Sequence, residues 1–275
     1  IDRSLVGSEM CIRDRYLANN KTDVEAMGFW ALHIDTMFFS VLLGALFLFV
    51  FTRAAQNFSL DKPTKLQLFI EMMIDFINGV VKGTFKAAQN SLIAPMALTI
   101  FFWVLLMNVM DLVPVDLIPY PAELLGIPYL KVVPTTDLNL TAALALSVFV
   151  LYLFYSIKSK GFVGFIKSIS LHPFGPWMLP ANLFIEIIDL IAKPLSLALR
   201  LYGNLYAGEM IFLLIAGMVS INLTSFMGLG LNLAGITLSL IWAIFHILIV
   251  VLQAFIFMML TVVYMNMAHE KFEQH

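Results

Sequence analysis

The chain has 275 residues, of which 61% are hydrophobic and 12% are charged, whereas charged residues make up about 25% of a typical soluble domain. A water-soluble globular fold is therefore excluded, and the length fits about five bilayer crossings of roughly 20 residues each. The net charge of -2 does not indicate partners, because the placement of charge matters more than its sum in a membrane protein, and no basic tract points to nucleic acid.

The amino-terminal run 1–16 differs in character from the rest of the chain. It begins without methionine and lacks the apolar core of about 7 to 15 residues that a signal peptide needs. Its letters resemble translated sequencing-adapter read-through, so we expect a foreign or artefactual segment here and a single membrane domain over 17–275. The run also holds the single cysteine, Cys11, so no internal disulfide and no cysteine-ligated metal site is expected.

Two segments with different patterns follow. The apolar segment 29–51 carries no charged residue after Asp35 until Arg53 and is long enough to cross a bilayer. In 56–90, lysines and acids are interleaved with apolar residues spaced by three and four. That spacing predicts an amphipathic helix lying at the membrane surface rather than crossing it.

Two further uncharged segments, 93–110 and 138–157, predict crossings. The loop between them, 111–137, is rich in proline and acid, whereas lysines cluster just after the second segment, in 158–167. Because lysine and arginine concentrate in cytoplasmic loops, we expect the basic segments inside and the amino terminus outside. Five crossings then leave the carboxyl terminus in the cytoplasm.

The last third of the chain is longer than single crossings require. No Asp, Glu, Lys or Arg occurs in 210–268, and small and polar residues in 220–235 predict a break. The two resulting helices, 180–217 and 235–268, would each be on the order of 50 Å long, against a hydrocarbon core of about 30 Å. The whole pattern predicts an all-α polytopic membrane protein of about five membrane-embedded helices plus an amphipathic surface helix, the last two long and strongly tilted.

Arg200 lies deep within the fifth apolar segment, far from either end. An arginine near the bilayer centre costs about 2.5 to 3.5 kcal/mol on insertion scales, so intramembrane charges are rare and usually functional. Residues at helical spacings share its face, and small side chains there let another helix approach closely. That small, partly polar stripe consists of Ser196, Gly203, Asn204 and Ala207.

The other charged residues of this segment leave a structural interpretation of Arg200 open. Glu209 lies about 180° around the helix and about 13 Å along it, so it does not pair locally with Arg200. Glu186 and Asp189 are alternative partners for a buried salt bridge, as is an acid of the outer loop. These two acids also lie near one membrane surface, where charged side chains reach water without any functional role.

The last apolar segment carries three polar side chains near one line. His246 and Gln253 are seven residues apart and share a helical face, and Tyr264 falls close to the same line. An imidazole, an amide and a phenol on one face suit a hydrated proton path, because all three exchange hydrogen bonds and histidine titrates near neutrality. A hydrogen-bonded core histidine and a glutamine that joins two helices are the structural alternatives.

Two blocks of sequence resemble subunit a of the F-type ATP synthase, the static proton-channel subunit of its membrane sector. They are PLSLALRLYGNLYAGE at 194–209 and WAIFHILIVVLQAFIF at 242–257, supported by LIAPMALTIFFWVLLMNVMD at 92–111 and by 133–139. The resemblance covers nearly everything after about residue 23. It departs from the family at the amino terminus, where the unusual run replaces an outward-facing segment.

The resemblance implies that Arg200 faces a rotating c-ring, where its charge favours the ionised form of the ring carboxylate. The same charge would block protons from crossing directly between two offset aqueous half-channels. Glu209 and His246 would lie on the outer proton path, with Gln253 and Asn204 close to the arginine. No residue is expected to be catalytic, and no metal or cofactor is expected.

Further channel positions are expected, some from the resemblance and some from helical spacing alone. Asp137 and Asn139 match the mouth of the outer half-channel, and Glu186 and Asp189 are candidates for the wall of the inner one. Two more positions, Ser196 and Tyr264, are expected to line the channel.

The implied partners are the c-ring, the subunit b peripheral stalk and the remaining ATP synthase subunits, in the cell inner membrane. No phosphate-binding loop of the GxxxxGK[ST] kind occurs, so nucleotide chemistry belongs to other subunits. Two other classes stay open at this point. Arg200 would hold an anionic substrate in a secondary transporter, or would be incidental in a structural scaffold. Whether the ion is H⁺ or Na⁺ is also left open.

Overall fold

The computed structural model describes residues 34–59, 62–84, 92–113, 132–171, 176–219 and 226–269. The run 1–16 and most of the acidic loop after residue 113 lie outside them. Within these ranges every regular element is helical, which confirms the all-α fold. The α-helices are α1 (Ile34–Gln56), α2 (Lys65–Thr84), α3 (Ile93–Val109), α4 (Leu138–Lys160), α5 (Phe162–Leu171), α6 (Leu179–Val219) and α7 (Phe226–His269).

Four stretches of the described chain are long and apolar enough to cross a membrane. They are 35–56, 93–112, 138–160 and 230–269. Helix α6 is not among them because it carries several charged residues, although it packs along α4 and α7 over much of its length. The chain is therefore a multi-pass membrane protein, as its composition indicates.

Helix α2 has the predicted amphipathic character but is shorter than the segment 56–90. It begins at Lys65, after Thr64, whose hydroxyl accepts a hydrogen bond from the Gln67 backbone N–H at 3.2 Å. One face buries Ile70 and Ile77 against the other helices. Pro63 accounts for the late start, because a proline has no N–H to continue a helix and disfavours helical backbone in the residue before it.

The last two helices have the predicted great length, 41 residues in α6 and 44 in α7. At 1.5 Å per residue each is about 60 Å long, twice the thickness of a hydrocarbon core. The predicted break over 220–235 is too wide, because α7 already begins at Phe226 and includes Gly228, Gly230 and Gly235. A helical glycine costs only about 1 kcal/mol relative to alanine, which packing along α7 outweighs.

Helix α5 was missed by the sequence analysis. Gly161 ends α4 with φ 73°, a left-handed conformation that favours glycine, and α5 starts at the next residue. With only ten residues, α5 gives too short a periodic pattern to separate from the end of a crossing. It packs against α4 and α6.

The core lies where α3, α4, α6 and α7 meet. Helix α7 is the centre of this group and packs against all three of the others. Its most deeply buried side chains include Val250, Phe257 and Met258. Helix α1 lies against α3, where Trp103 Nε1 donates a hydrogen bond to the Ser40 carbonyl at 2.9 Å.

Candidate functional site

Arg200 lies at the edge of the α6 face that packs into the core. That face buries Leu197, Leu201 and Leu205 completely. Arg200 itself is half-buried, and within the described part of the chain its guanidinium forms no hydrogen bond or ion pair. An intramembrane cation without a partner among these residues is available to a group that comes from outside these helices.

The predicted stripe around Arg200 is present and faces outward. Ser196, Asn204 and Ala207 are exposed, and a methyl group added at Gly203 would meet open space. Small residues leave the backbone accessible, so a second helix could approach α6 closely here. Arg200 therefore sits in an open, small-residue surface.

Asn204 and Gln253 connect α6 to α7 one helical turn from Arg200. Asn204 Nδ2 donates to Gln253 Oε1 at 2.7 Å. Gln253 is 1% exposed, and its own Nε2 has no hydrogen-bond partner within the described residues. A buried amide donor without a protein partner is available to bind water or another polar group.

His246 lies in the core and pairs with an acid that the sequence analysis had assigned only to the outer loop. Its Nε2 is 2.7 Å from Asp111 Oδ2, and the two side chains are 1% and 6% exposed. Asp111 lies in a short 3-10 turn, Met110–Leu112, that extends α3. The available signal was its position directly after the apolar segment 93–110, where one more helical turn brings the carboxylate to membrane depth.

The backbone of α6 makes room for the His246 ring at Gly208. A Cβ at this position would overlap His246 Cε1 and lie 2.6 Å from Nδ1. Trp242 Nε1 donates to the Gly208 carbonyl at 3.4 Å, and Phe212 meets the imidazole edge to face at 5.5 Å. Only glycine allows this close approach.

Glu209 follows Gly208 and is half-buried. The resemblance places it with His246 on the outer path, and it directly follows the glycine that the His246 ring contacts. The ion pair of His246, however, is made with Asp111.

Asn108 is a second polar residue that the sequence analysis did not identify. It lies on α3 three residues before Asp111, is fully buried, and has no partner for either amide atom among the described residues. His246 Nδ1 has no partner among them either. Buried polar atoms of this kind are rare in folded proteins and mark places where water or a transported ion is accommodated.

Asp137 and Asn139 lie at the start of α4. Asp137 is buried and caps the helix, because its Oδ1 accepts from the Asn139 backbone N–H at 2.9 Å. Its Oδ2 accepts from the Thr36 hydroxyl of α1 at 3.4 Å. The Asn139 side chain is exposed. Asp137 thus has a structural role, whatever it contributes to a channel.

A separate polar cluster surrounds Lys193. Its ammonium is 2.6 Å from Asp189 Oδ2 and lies 5.1 Å from the centre of the Tyr152 ring. Tyr264 packs edge to face on Tyr152 at 6.5 Å. Asp189 therefore pairs with Lys193, so the alternative of an Asp189 salt bridge to Arg200 is wrong. Glu186, one turn earlier on α6, is half-buried.

The line predicted along α7 is divided in the structure. His246 and Gln253 are both buried at the contacts with α3 and α6, whereas Tyr264 belongs to the Tyr152 cluster on α4.

Among the described residues, no group of three or more His, Cys, Asp or Glu could hold a metal ion.

The apolar helices bury an imidazole, a carboxylate and two amides, and they carry an arginine that is unpaired within the described ranges. Buried polar and charged groups in membrane-crossing helices are the mark of a membrane protein that moves ions. The sequence profile described as ATP synthase A chain matches residues 36–266, and the chain belongs to that family. ATP synthase subunit a of Shewanella baltica strain OS185 is 54% identical over 271 residues, covering 98% of this chain and 95% of the relative. The subunits a of Shewanella amazonensis and Shewanella loihica are 55% and 56% identical, each covering 93% of this chain and 95% of the relative.

Proposed function

We propose that this chain is the stator half of the proton channel in an F-type ATP synthase and forms two half-channels against a c-ring. Membership of the ATP synthase A chain family supports proton translocation in the membrane sector. The observation that carries the finer proposal is the position of Arg200, which has no ion-pair partner among the described residues and lies on an open surface of small side chains.

Arg200 would act on the carboxylate of each passing c subunit. In a low-dielectric site a guanidinium strongly favours the ionised form of a nearby carboxylate, so the carboxylate releases its proton on arrival. The fixed positive charge also repels a proton that would pass straight from one half-channel to the other. Transport then has to proceed through rotation of the ring.

The outer half-channel would run past Asp111, His246 and Asn108 toward Gln253. Nε2 of His246 contacts Asp111, whereas Nδ1 has no partner among the described residues, so Nδ1 is the ring nitrogen that can exchange hydrogen bonds with water in the path. Asn108 and Gln253 supply buried amide groups on either side, and they can hold water between the titrating groups.

The remaining candidate positions complete the proposal. Glu209 belongs to the outer path beside His246, and Asn204 orients Gln253 near the arginine. Asp137 and Asn139 would form the outer mouth. The inner half-channel would be lined by Glu186 and Asp189, and Ser196 and Tyr264 would be further channel-lining positions.

The proposed surroundings follow from the family. The partners are the c-ring, the subunit b peripheral stalk and the remaining ATP synthase subunits, which carry out the nucleotide chemistry, so this subunit is itself non-catalytic. We place residues 17–275 as one domain in the cell inner membrane, with the amino terminus outside, the carboxyl terminus in the cytoplasm and 1–16 as a foreign run.

The test of this function is Arg200→Ala in the assembled ATP synthase. ATP-driven proton pumping into inverted membrane vesicles should be lost while the complex still assembles, since the change removes no hydrogen bond or ion pair within the described helices. Arg53→Ala, at the exposed end of α1, is the matched control and should pump normally. Normal pumping by the Arg200 variant would refute the proposal.

A further inference from the structure

Helix α5 lies where a membrane-crossing helix ends. Helix α4 finishes with Lys158 and Lys160 in its last turn, and Gly161 turns the chain directly into α5. The ten residues of α5 span about 15 Å, half the thickness of a hydrocarbon core. The helix is therefore too short to cross and is placed at the boundary of the membrane.

The orientation of α5 is fixed by its neighbours. It packs between the end of α4 and the start of α6. Asn182 of α6 is fully buried, and its Nδ2 donates to the Ser170 carbonyl of α5 at 3.3 Å. A helix held at both sides presents the same outward face at all times.

That outward face is apolar and aromatic. Phe162, Val163 and Ile166 are exposed, Val163 to 79%. Trp177, in the short helix that leads into α6, is 97% exposed. Tryptophan and phenylalanine at such boundaries characteristically sit at the level of the lipid headgroups.

Charge identifies the occupant of this face. The stretch from 158 to 171 contains Lys158, Lys160 and Lys167 and no acidic residue. Lys158 and Lys167 are exposed, and lysine stems can lie along apolar surface while the ammonium groups reach phosphates. Each lysine near an anionic membrane surface raises the binding of a segment to that surface by about fivefold.

We propose that the outward face of α5, made of Phe162, Val163, Ile166 and Lys167, docks on anionic phospholipid headgroups together with Lys158 at the end of α4 and Trp177 before α6. It holds the junction of α4 and α6 at the level of the headgroups, more deeply when the lipids are anionic. None of these residues belongs to the proposed proton path, so this inference stands or falls separately from it.

The test places a nitroxide at Val163→Cys in the intact ATP synthase, with other reactive cysteines replaced. The complex is reconstituted in vesicles of phosphatidylcholine alone or of equal parts phosphatidylcholine and phosphatidylglycerol. Collision with oxygen reports lipid, and collision with a water-soluble nickel chelate reports water. Leu42→Cys on α1 and Lys62→Cys before α2 are the lipid and water references, since both positions are exposed.

We expect oxygen to reach the label at Val163→Cys and the nickel chelate not to reach it. We also expect the label to lie deeper in vesicles that contain phosphatidylglycerol. Lys158→Gln with Lys167→Gln should abolish that lipid dependence, whereas Lys62→Gln with Lys65→Gln should leave it unchanged. Access by the chelate would overturn the proposal. So would a label shielded from both reagents, which would mean that another subunit covers α5, and so would identical depths in the two lipids.

Discussion

The position of the His246 ring depends on Gly208, a residue without a side chain. The imidazole lies between Asp111, in the turn that extends α3, and the backbone of Gly208 on α6. Phe212 meets the ring edge to face, and Trp242 Nε1 donates to the Gly208 carbonyl. With packing this close, movement of the ring by about 1 Å would separate it from its carboxylate.

Gly208→Ala should therefore impair proton flow without preventing assembly. The added methyl overlaps the imidazole, and a misplacement of about 1 Å costs up to a hundredfold in rate, so we expect at least about a tenfold fall. Passive proton conduction through the membrane sector measures it directly. Gly79→Ala on α2, where the methyl meets open space, is the control. Equal conduction in both variants would contradict this positioning of the imidazole.

Asp111→Asn tests the newly identified partner of His246. The amide keeps the shape but removes the carboxylate that contacts Nε2 of His246, so the imidazole loses its acidic partner. A positioned acid or base typically contributes at least a hundredfold, and we expect ATP-driven pumping to fall by at least about tenfold. Asp75→Asn, on the exposed side of α2, should pump normally. Unchanged pumping by the Asp111 variant would remove this residue from the path.

The residues of the site were predictable to different degrees, for physical reasons. Arg200 and its small-residue stripe could be found because they depend on one helix and its period. The Asp111–His246 pair joins positions far apart in the chain, and no local pattern reports which loop acid continues a helix. For the same reason the division of the α7 line, with Tyr264 in the Tyr152 cluster, was not foreseen.

At the scale of elements, length and tertiary packing explain where local signals misled. The crossings and the two long helices were predicted because long apolar runs have few alternatives in a bilayer. The helix α5 and the true start of α7 were not, since short helices and isolated glycines depend on their neighbours.

Glycine substitutions distinguish the helical start of α7 from a loop. Gly230 is helical, and a methyl group added there would meet open space, so Gly230→Ala should raise stability by up to about 1 kcal/mol. Gly161, at φ 73°, should respond in the opposite direction to the same change. The apparent melting temperature of the detergent-solubilised complex measures both. A lower melting temperature for Gly230→Ala would place this glycine in a turn instead.

At the scale of the whole molecule, two surfaces of α6 have different roles. The inner side packs Leu197, Leu201 and Leu205 into the core with α7, and Arg200 lies at its edge beside an outer stripe of small residues. A curved, rotating partner needs such an outer surface, because bulky side chains would hinder passage of its helices. Two helices about 60 Å long extend this surface well beyond one crossing.

The central claim is that the stripe around Arg200 faces the c-ring, and cysteine cross-linking tests it most directly. Ala207→Cys is paired with a cysteine beside the proton-binding carboxylate of subunit c, and Val150→Cys, exposed on α4, is the control. We predict a disulfide with Ala207→Cys, loss of rotation-coupled ATP hydrolysis on oxidation and recovery on reduction, with no cross-link from Val150→Cys. A cross-link from Val150→Cys and none from Ala207→Cys would contradict the account.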